Sequence, residues 1–323
     1  MVNSCLPVFT SICSFSIKVV NLMKGKEYYQ LYCDIKFDWQ FWTSKEEQLI
    51  ILKHANYARL FTLLCSGGVT ATIFFFLSPS FIPQILDIVY PLNETRSKTL
   101  SLEVYFFVNS EDYFYFIFFH IAINLICQFF IFVGFESSFA IVIEHGCALF
   151  EIIGFQLKKI NNNDNERENL EKLFFCIEQH KRAIKFCNNV ESIYVTCFFF
   201  VMSINAFIIS VCLTEFVLHL DNLKMSIQFG WACTSSLIYV LLNSFFAQRL
   251  IDYSTELPTI IYDSSWYQKS VKIKKILLFM MMRSEIPCKI TAGKIIDISL
   301  KSVCAILQTC FSYFTLMLST TNY

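Results

Sequence analysis

Long stretches without a charged residue constrain this chain more than any other feature of its sequence. The clearest, Tyr113–Phe135, holds no Asp, Glu, Lys or Arg and is crowded with aromatic side chains. A helix of about 20 apolar residues crosses the hydrocarbon core of a bilayer. Stretches of this kind predict six membrane spans, and their approximate ranges are 5–21, 60–77, 113–135, 192–214, 225–248 and 293–318.

The composition agrees with an all-α, polytopic membrane protein embedded in a lipid bilayer. The 323 residues are 55% hydrophobic and only 16% charged, whereas a soluble domain carries about 25% charged residues. Polar, amphipathic stretches over 136–191 and 250–290 predict helical extensions on the cytoplasmic side, and residues 1–323 are predicted to form a single domain. The net formal charge of zero argues against nucleic acid as a partner.

Lys and Arg alternate in number between the segments that join the predicted spans. Residues 24–59 hold six, 78–112 two, 136–191 seven, 215–224 one and 249–283 six. Because cytoplasmic loops are enriched in Lys and Arg, the first, third and fifth of these segments are predicted to be cytoplasmic. The N-glycosylation sequon at Asn93 then lies in an external loop, and the C-terminus is also predicted to be external.

The last predicted span carries a polar stripe. Gln308, Ser312, Thr315 and Ser319 recur at i, i+4, i+7 and i+11 in a stretch without charge. This spacing places them on one face of a helix. Such a face lines a water-filled pore or bonds to a partner helix, and the residue pattern alone leaves both possibilities open.

Residue types suited to catalysis or metal binding form no known motif. The fourteen Cys lie mostly within apolar runs and no CxxC pair occurs, so they are predicted to be free, buried thiols. The five His are scattered without an HExxH, and no GxSxG or phosphate loop is present, which argues against an enzyme, a metal site or a cofactor. Asp297 and Lys301 have the spacing of a helical ion pair and are predicted to anchor the last span at the membrane surface.

Several segments resemble the insect odorant receptors. The most specific is the C-terminal motif, a Pro, then T-A-G-K and a helix that ends in S-Y-F-T, which is here PCKITAGKIIDISLKSVCAILQTCFSYFTLM. The ends of the family's fourth and fifth helices resemble HGCALFEIIGFQL and IEQHKRAIKFCNNVESIY. The extracellular loop of hymenopteran-type tuning subunits resembles LDIVYPLNETR. The similarity runs from about Asn21 onward.

The resemblance implies an odorant-gated, non-selective cation channel in the plasma membrane of a sensory neuron dendrite. Four subunits, including a shared odorant co-receptor, would enclose one pore lined by the last helix, and the ligands would be small, volatile and apolar. Members of the family have seven spans and an internal N-terminus. Because six spans are predicted here, the first helix of the family would be absent.

The resemblance also assigns roles to individual residues. The family's hydrophobic gate aligns with Leu316, so the implied pore lining is Gln308, Ser312, Thr315, Leu316, Ser319 and Thr320. The implied odorant pocket lies in the outer halves of the spans. Its candidates are apolar and aromatic residues with one histidine, namely Phe74, Phe75, Phe116, Phe119, His120, Ile208 and Trp231.

Other classes of membrane protein fit the sequence less well. A gustatory-type receptor shares the architecture, but the aromatic helix ending in Gln-Phe that is typical of that group is missing after Tyr313. A G-protein-coupled receptor would have an internal C-terminus, a DRY-type motif after the third span and an NPxxY near the end. This sequence predicts an external C-terminus and contains neither motif. A secondary transporter would show internal repeats and broken helix pairs, and neither is visible.

Overall fold

The computed structural model of the protein describes residues 2–91, 96, 100, 112–160, 166–264 and 266–321. These residues are almost entirely helical. The α-helices in chain order are α1 (Val2–Met23), α2 (Gly25–Phe41), α3 (Lys45–Leu77), α4 (Ile82–Val89), α5 (Phe114–Lys158), α6 (Glu166–Leu218), α7 (Leu223–Thr255), α8 (Leu257–Asp263), α9 (Val271–Ser284) and α10 (Leu300–Thr321). Short 3-10 helices cover Ser78–Phe81 and Trp266–Gln268. An antiparallel hairpin of β1 (Thr291–Ala292) and β2 (Ile296–Asp297) lies between α9 and α10.

Two of these helices are far longer than a membrane is thick. α5 has 45 residues and α6 has 53, which at 1.5 Å per residue is roughly 68 and 80 Å. The hydrocarbon core of a bilayer is about 30 Å thick. Each helix therefore continues outside the membrane. Residues 136–158 and 166–191 are helical, and the cytoplasmic location of this segment stays a prediction.

Within the part of the chain that the structure describes, five helical stretches are long and apolar enough to cross a membrane. They are Lys45–Val89, Phe114–Lys158, Glu166–Leu218, Leu223–Asp263 and Leu300–Thr320. These stretches overlap five of the six predicted spans. The remaining span, 5–21, falls in α1, where the apolar stretch Val8–Met23 is shorter. The total of six spans stays a prediction.

The predicted start of the last span, at Gly293, is wrong. Gly293 and Lys294 have φ angles of 65° and 60°, left-handed values that a right-handed helix cannot contain. The chain instead turns back on itself as the hairpin, and α10 begins only at Leu300. The turn lies in the TAGK segment on which the family resemblance rests.

The predicted helical ion pair of Asp297 with Lys301 is wrong for the same reason. Asp297 lies in β2 and accepts a hydrogen bond from Lys289 Nζ at 2.8 Å. The predicted extension 250–290 is helical over the end of α7, α8 and α9, and its side of the membrane is untested.

The chain divides into two compact units. The first contains the residues up to Val19 together with Leu60–Ser138, and the second contains Val20–Arg59 together with the chain from Phe139 onward. α3 and α5 each contribute one part of their length to one unit and the rest to the other.

Aromatic side chains contribute to the interior of the first unit, and a hydrogen bond from an amide joins two of its helices. Phe118 of α5 packs edge-on against Phe81, with ring centroids 4.8 Å apart. Phe114 and Ile117 of the same helix are buried. Gln128 donates to Ser11 Oγ of α1 at 2.9 Å, so an amide-hydroxyl bond joins α5 to α1.

The second unit is organised around α6. This helix packs against α2, α7, α10 and β1. Its side chains Tyr194, Cys197, Phe198 and Cys212 have no exposed surface, and the rings of Tyr194 and Phe198 lie 5.2 and 4.8 Å from that of Phe139. A helix that buries apolar side chains in several directions belongs to an interior rather than a surface.

An ionic cluster ties α3, α5 and α7 together in the second unit. The ring of buried His54 lies between two carboxylates of α5, with Nδ1 2.6 Å from Glu144 and Nε2 2.8 Å from Glu151. Arg249 of α7 donates to both oxygens of Glu144 at 2.5 and 2.9 Å, and Lys53 donates to Glu151 at 2.8 Å. Because both ring nitrogens face carboxylate oxygens, His54 is bound as the doubly protonated imidazolium.

The contacts in this cluster shift the ionisation of its members. Burial by itself disfavours the charged imidazolium, but the hydrogen bonds to Glu144 and Glu151 outweigh it and raise the pKa of His54. The hydrogen bond from His54, aided by Lys53, lowers the pKa of Glu151 to about 2. The stabilisation from His54 is complete below its unfolded pKa of about 6.5 and is lost as the pH rises through its folded value.

We predict that the thermal stability of the detergent-purified protein falls as the pH rises through the folded pKa of His54. His54→Gln keeps one hydrogen-bond donor and removes the titration, so its melting temperature is expected to be lower at neutral pH but flatter across the same range. The measurement is a thermal-unfolding series from pH 6 to 9, with Lys53→Gln as the control at the exposed edge of the cluster. Parallel pH profiles for wild type and His54→Gln would contradict the prediction.

Candidate functional site

α10 begins at a hydrogen-bonded cap. Ser302 N–H donates to Ser299 Oγ at 3.3 Å, and Ser299 N–H donates to Ser302 Oγ at 3.0 Å. These reciprocal bonds satisfy amides that the first turn of a helix leaves unpaired. The 22 residues of α10 span roughly 33 Å, which matches the hydrocarbon core of a bilayer.

One face of α10 packs against the C-terminal half of α6. Ser210 of α6 donates from Oγ to the carbonyl of Cys310 at 3.1 Å, and Cys310 Sγ donates to the carbonyl of Ala206 at 3.5 Å. Thr214 Oγ1 lies 3.8 Å from Met317 Sδ. Cys310 is fully buried as a result. Ser210, Thr214 and Cys310 hold the two helices together, and sequence analysis did not single them out.

The face of α10 turned away from this contact is not covered by the described residues of the second unit. All six residues of the implied pore lining lie on it with exposed side chains, namely Gln308, Ser312, Thr315, Leu316, Ser319 and Thr320. Leu316 keeps 59% of its surface exposed. The helix therefore separates its side chains into a packed face and an open, mainly polar face.

The hydroxyl groups of the open face are satisfied by their own helix. Ser312 donates to the carbonyl of Gln308 at 2.9 Å, and Thr315 donates to that of Ser312 at 2.9 Å. Ser319 and Thr320 donate in the same way to carbonyls one turn before them, at 2.8 Å each. Such back-bonding lowers the cost of hydroxyls in a membrane helix and leaves the oxygen lone pairs directed outward. Unlike these hydroxyls, the side-chain amide of Gln308 needs water or a polar neighbour as its hydrogen-bond partner.

The first five residues of the implied odorant pocket belong to the first unit. On α5, Phe116, Phe119 and His120 are exposed at i, i+3 and i+4, opposite the buried face that carries Phe114 and Ile117. Phe74 of α3 is 73% exposed, and Phe75 is half-buried beside Phe76. α5 thus presents an aromatic face that remains exposed in its own unit.

The other two pocket candidates belong to the second unit and differ from each other. Ile208 of α6 is only 6% exposed, so packing in the second unit leaves it little open surface. Trp231 of α7 is 39% exposed. The sequence does not separate these two environments, because both residues lie in predicted spans without a charged residue in their interior.

The remaining predicted site, Asn93, lies outside the described residues. Near it in sequence, Arg96 donates from Nη1 to Asp87 Oδ1 at 2.6 Å and to the carbonyl of Tyr90 at 3.1 Å. In the described ranges, His, Cys, Asp and Glu form no group of three or more that could hold a metal ion.

Comparisons with known proteins agree on one family. The sequence model described as 7tm Odorant receptor matches residues 1–311. Odorant receptor 67c of Drosophila melanogaster is 24% identical over 181 residues, which cover 56% of this chain and 44% of that receptor. Odorant receptor 10 of Aedes albopictus is 25% identical over 163 residues, covering 49% and 42%. These alignments span less than half the length of the relatives.

The fold is shared with a solved insect receptor. The structure of the olfactory receptor OR5 from Machilis hrabei in complex with eugenol superimposes with a TM-score of 0.75 at 13% identity, covering 99% of this chain and 82% of that one. The all-α architecture predicted from the sequence is thereby confirmed. Because the family model matches nearly the whole chain, the protein is a multi-pass membrane protein that belongs to the 7tm odorant receptor family.

Proposed function

We propose that this chain is one subunit of an odorant-gated, non-selective cation channel and that α10 contributes one wall of its pore. The observation that carries the proposal is the open face of α10. Five polar side chains, in a part of the helix that carries no charge, are exposed on this face, and nothing in the described part of the second unit covers them.

The lipid side of a membrane protein is a poor environment for this face. An amide such as that of Gln308 costs several kcal/mol in hydrocarbon when it lacks a partner. Water in a pore supplies the missing hydrogen bonds, and a row of hydroxyl oxygens can replace part of the hydration shell of a cation. A single helix encloses no pore, so the proposal requires several subunits. We infer that an odorant co-receptor supplies the others.

Leu316 is the proposed gate. On a helix with about 100° per residue, its side chain lies roughly 40° from Ser312 and 60° from Ser319. A ring of leucines closes a narrow pore by excluding water. A modest rotation of α10 would replace that ring with hydroxyl groups, so closed and open states differ by a small movement of one helix.

The proposed ligands are small, volatile and apolar. The aromatic face of α5 offers Phe116 and Phe119 beside His120, and Phe74 of α3 is similarly open. Burial of such surfaces contributes about 25 cal/mol per Å², which suits a ligand with few polar atoms. The structurally similar Machilis hrabei receptor was solved in complex with eugenol, which supports a small aromatic molecule as a first candidate.

We predict an odorant-evoked cation current when the chain is expressed with an insect odorant co-receptor. The measurement is whole-cell recording over a broad panel of volatile aromatics and esters, with surface labelling of both subunits. The current is expected to be carried by both Na⁺ and K⁺. The co-receptor expressed alone is the control. Silence over the whole panel, with both subunits at the surface, would contradict the proposed function.

We predict that replacing Leu316 by Ala raises the odorant-independent current several-fold, because a smaller side chain no longer excludes water from the constriction. Leu318→Ala is the matched control, since Leu318 points to the other side of α10 and is half-buried. Equal leak in both variants would argue against Leu316 as the gate.

We also predict that Ser312→Cys becomes accessible to a charged, water-soluble thiol reagent. The native thiol of Cys304 is exposed on the same helix, so the substitution is made in a Cys304→Ser background. Buried Cys310 is an internal control that is expected not to react. Current block in Ser312→Cys indicates a water-filled lining, whereas a Ser312→Cys variant that does not react would place this face against protein or lipid.

A further inference from the structure

The hairpin that precedes α10 is built around a tight turn with glycine at its first central position. Gly293 has a φ angle of 65°, a region in which a side chain is strained. A Cβ at this position would lie 2.6 Å from Cδ2 and 3.1 Å from Cγ of Phe199 in α6. The backbone angle therefore favours glycine at position 293, and the close approach of the hairpin to Phe199 excludes a larger residue without a shift of the ring.

Two direct hydrogen bonds fix the hairpin to that helix. The N–H of Gly293 donates to the carbonyl of Val195 at 2.9 Å, and Thr291 Oγ1 donates to Glu191 Oε1 at 2.6 Å. Glu191, Val195 and Phe199 follow one another at i, i+4 and i+8, so they form a single stripe along two turns of α6. The hairpin therefore contacts one face of α6 at three successive positions, Glu191, Val195 and Phe199.

The hairpin is joined closely to the start of α10. Only Ile298 and Ser299 separate β2 from the helix, and Ile298 N–H donates to the carbonyl of Ile290 at 2.8 Å. Both isoleucines are buried. At the first residue of α10, Leu300 N–H donates to Gln248 Oε1 of α7 at 3.4 Å. Hydrogen bonds therefore join the chain that enters α10 to both α6 and α7.

α10 itself has few directional contacts farther along. Its packed face meets α6 through backbone carbonyls, a thiol and a thioether, which are weaker restraints on rotation than charged hydrogen bonds. The contact between Thr291 and Glu191 involves a carboxylate. The hydrogen bond to a carboxylate therefore lies at the N-terminal end of the helix, in the hairpin, whereas the contacts farther along α10 are packing and neutral hydrogen bonds.

We propose that the hairpin is the positioning element that sets the rotation of α10 relative to α6, with Thr291 and Gly293 as positioning residues. The inference rests on the proposed role of α10 as a pore helix. The same rotation decides whether Leu316 or the neighbouring serines face the axis of the pore. Loosening the hairpin then shifts the balance between closed and open states, although no hairpin residue lies on the pore face.

The first test is Gly293→Ala, with Gly134→Ala as the matched control because a Cβ at Gly134 meets nothing within 4 Å. In co-expressing cells, Gly293→Ala is expected to lower the ratio of odorant-evoked to basal current several-fold at equal surface expression. Gly134→Ala is expected to leave the ratio unchanged. Phe199→Ala in the Gly293→Ala background removes the close contact and is expected to restore part of the ratio. An unchanged ratio in Gly293→Ala would overturn the proposal.

The second test does not depend on a current, and it remains informative if Gly293→Ala fails to fold. Thr291→Val removes the hydroxyl and Thr291→Ser retains it. In the purified full chain, amide hydrogen exchange over residues 300–305 is expected to be roughly tenfold faster in Thr291→Val, the size of effect that one lost hydrogen bond gives. Thr291→Ser is expected to exchange like wild type.

The two tests separate the two proposals. Faster exchange in Thr291→Val with an odorant-silent wild type would overturn the channel function while the positioning role of the hairpin stands. Equal exchange in wild type, Thr291→Val and Thr291→Ser would overturn the positioning role even if the wild type conducts.

Discussion

The packing of its neighbours on α6 is the interaction on which the second unit depends. α2, α7, β1 and α10 all contact this one helix, and its interior side chains, such as Tyr194 and Phe198, have no exposed surface. Protein interiors are close-packed, so each neighbouring element packs on α6 in one well-defined position. Two polar groups of α6 bond to its neighbours, with Glu191 accepting from the hairpin and Ser210 donating to α10.

That packing also determines what remains available for function. Because α6 covers the face of α10 that carries Cys310, the opposite face with Gln308 and Leu316 stays open. The polar groups around His54 and those on α10 satisfy their hydrogen bonds in different ways. The cluster around His54 buries charges and pairs each of them, as buried ions require, whereas the hydroxyls of α10 bond to their own backbone and remain neutral. The first system suits a fixed structural joint, and the second suits the water-facing surface that we propose for α10.

Sequence reasoning located most of the helices and part of the site. Charge-free runs fall within long helices, and the spacing of Ser312, Thr315 and Ser319 does place them on one open face. It failed at Gly293, because a TAGK segment beside an apolar run does not show that two residues adopt left-handed angles. It did not show that Ile208 is buried while Trp231 stays partly exposed, and the assignment of both residues to a ligand pocket stays a prediction.

The sequence by itself determined the class of this protein, an all-α polytopic membrane protein, and its family, because long uncharged runs and a terminal motif are local properties of the chain. Only the tertiary structure decided which face of α10 is covered and where the hairpin before it is held. Those contacts join residues that are 100 positions apart, Glu191 with Thr291 and Ser210 with Cys310. Local periodicity carries no information about such pairs, since they exist only once α6 and α10 have packed together.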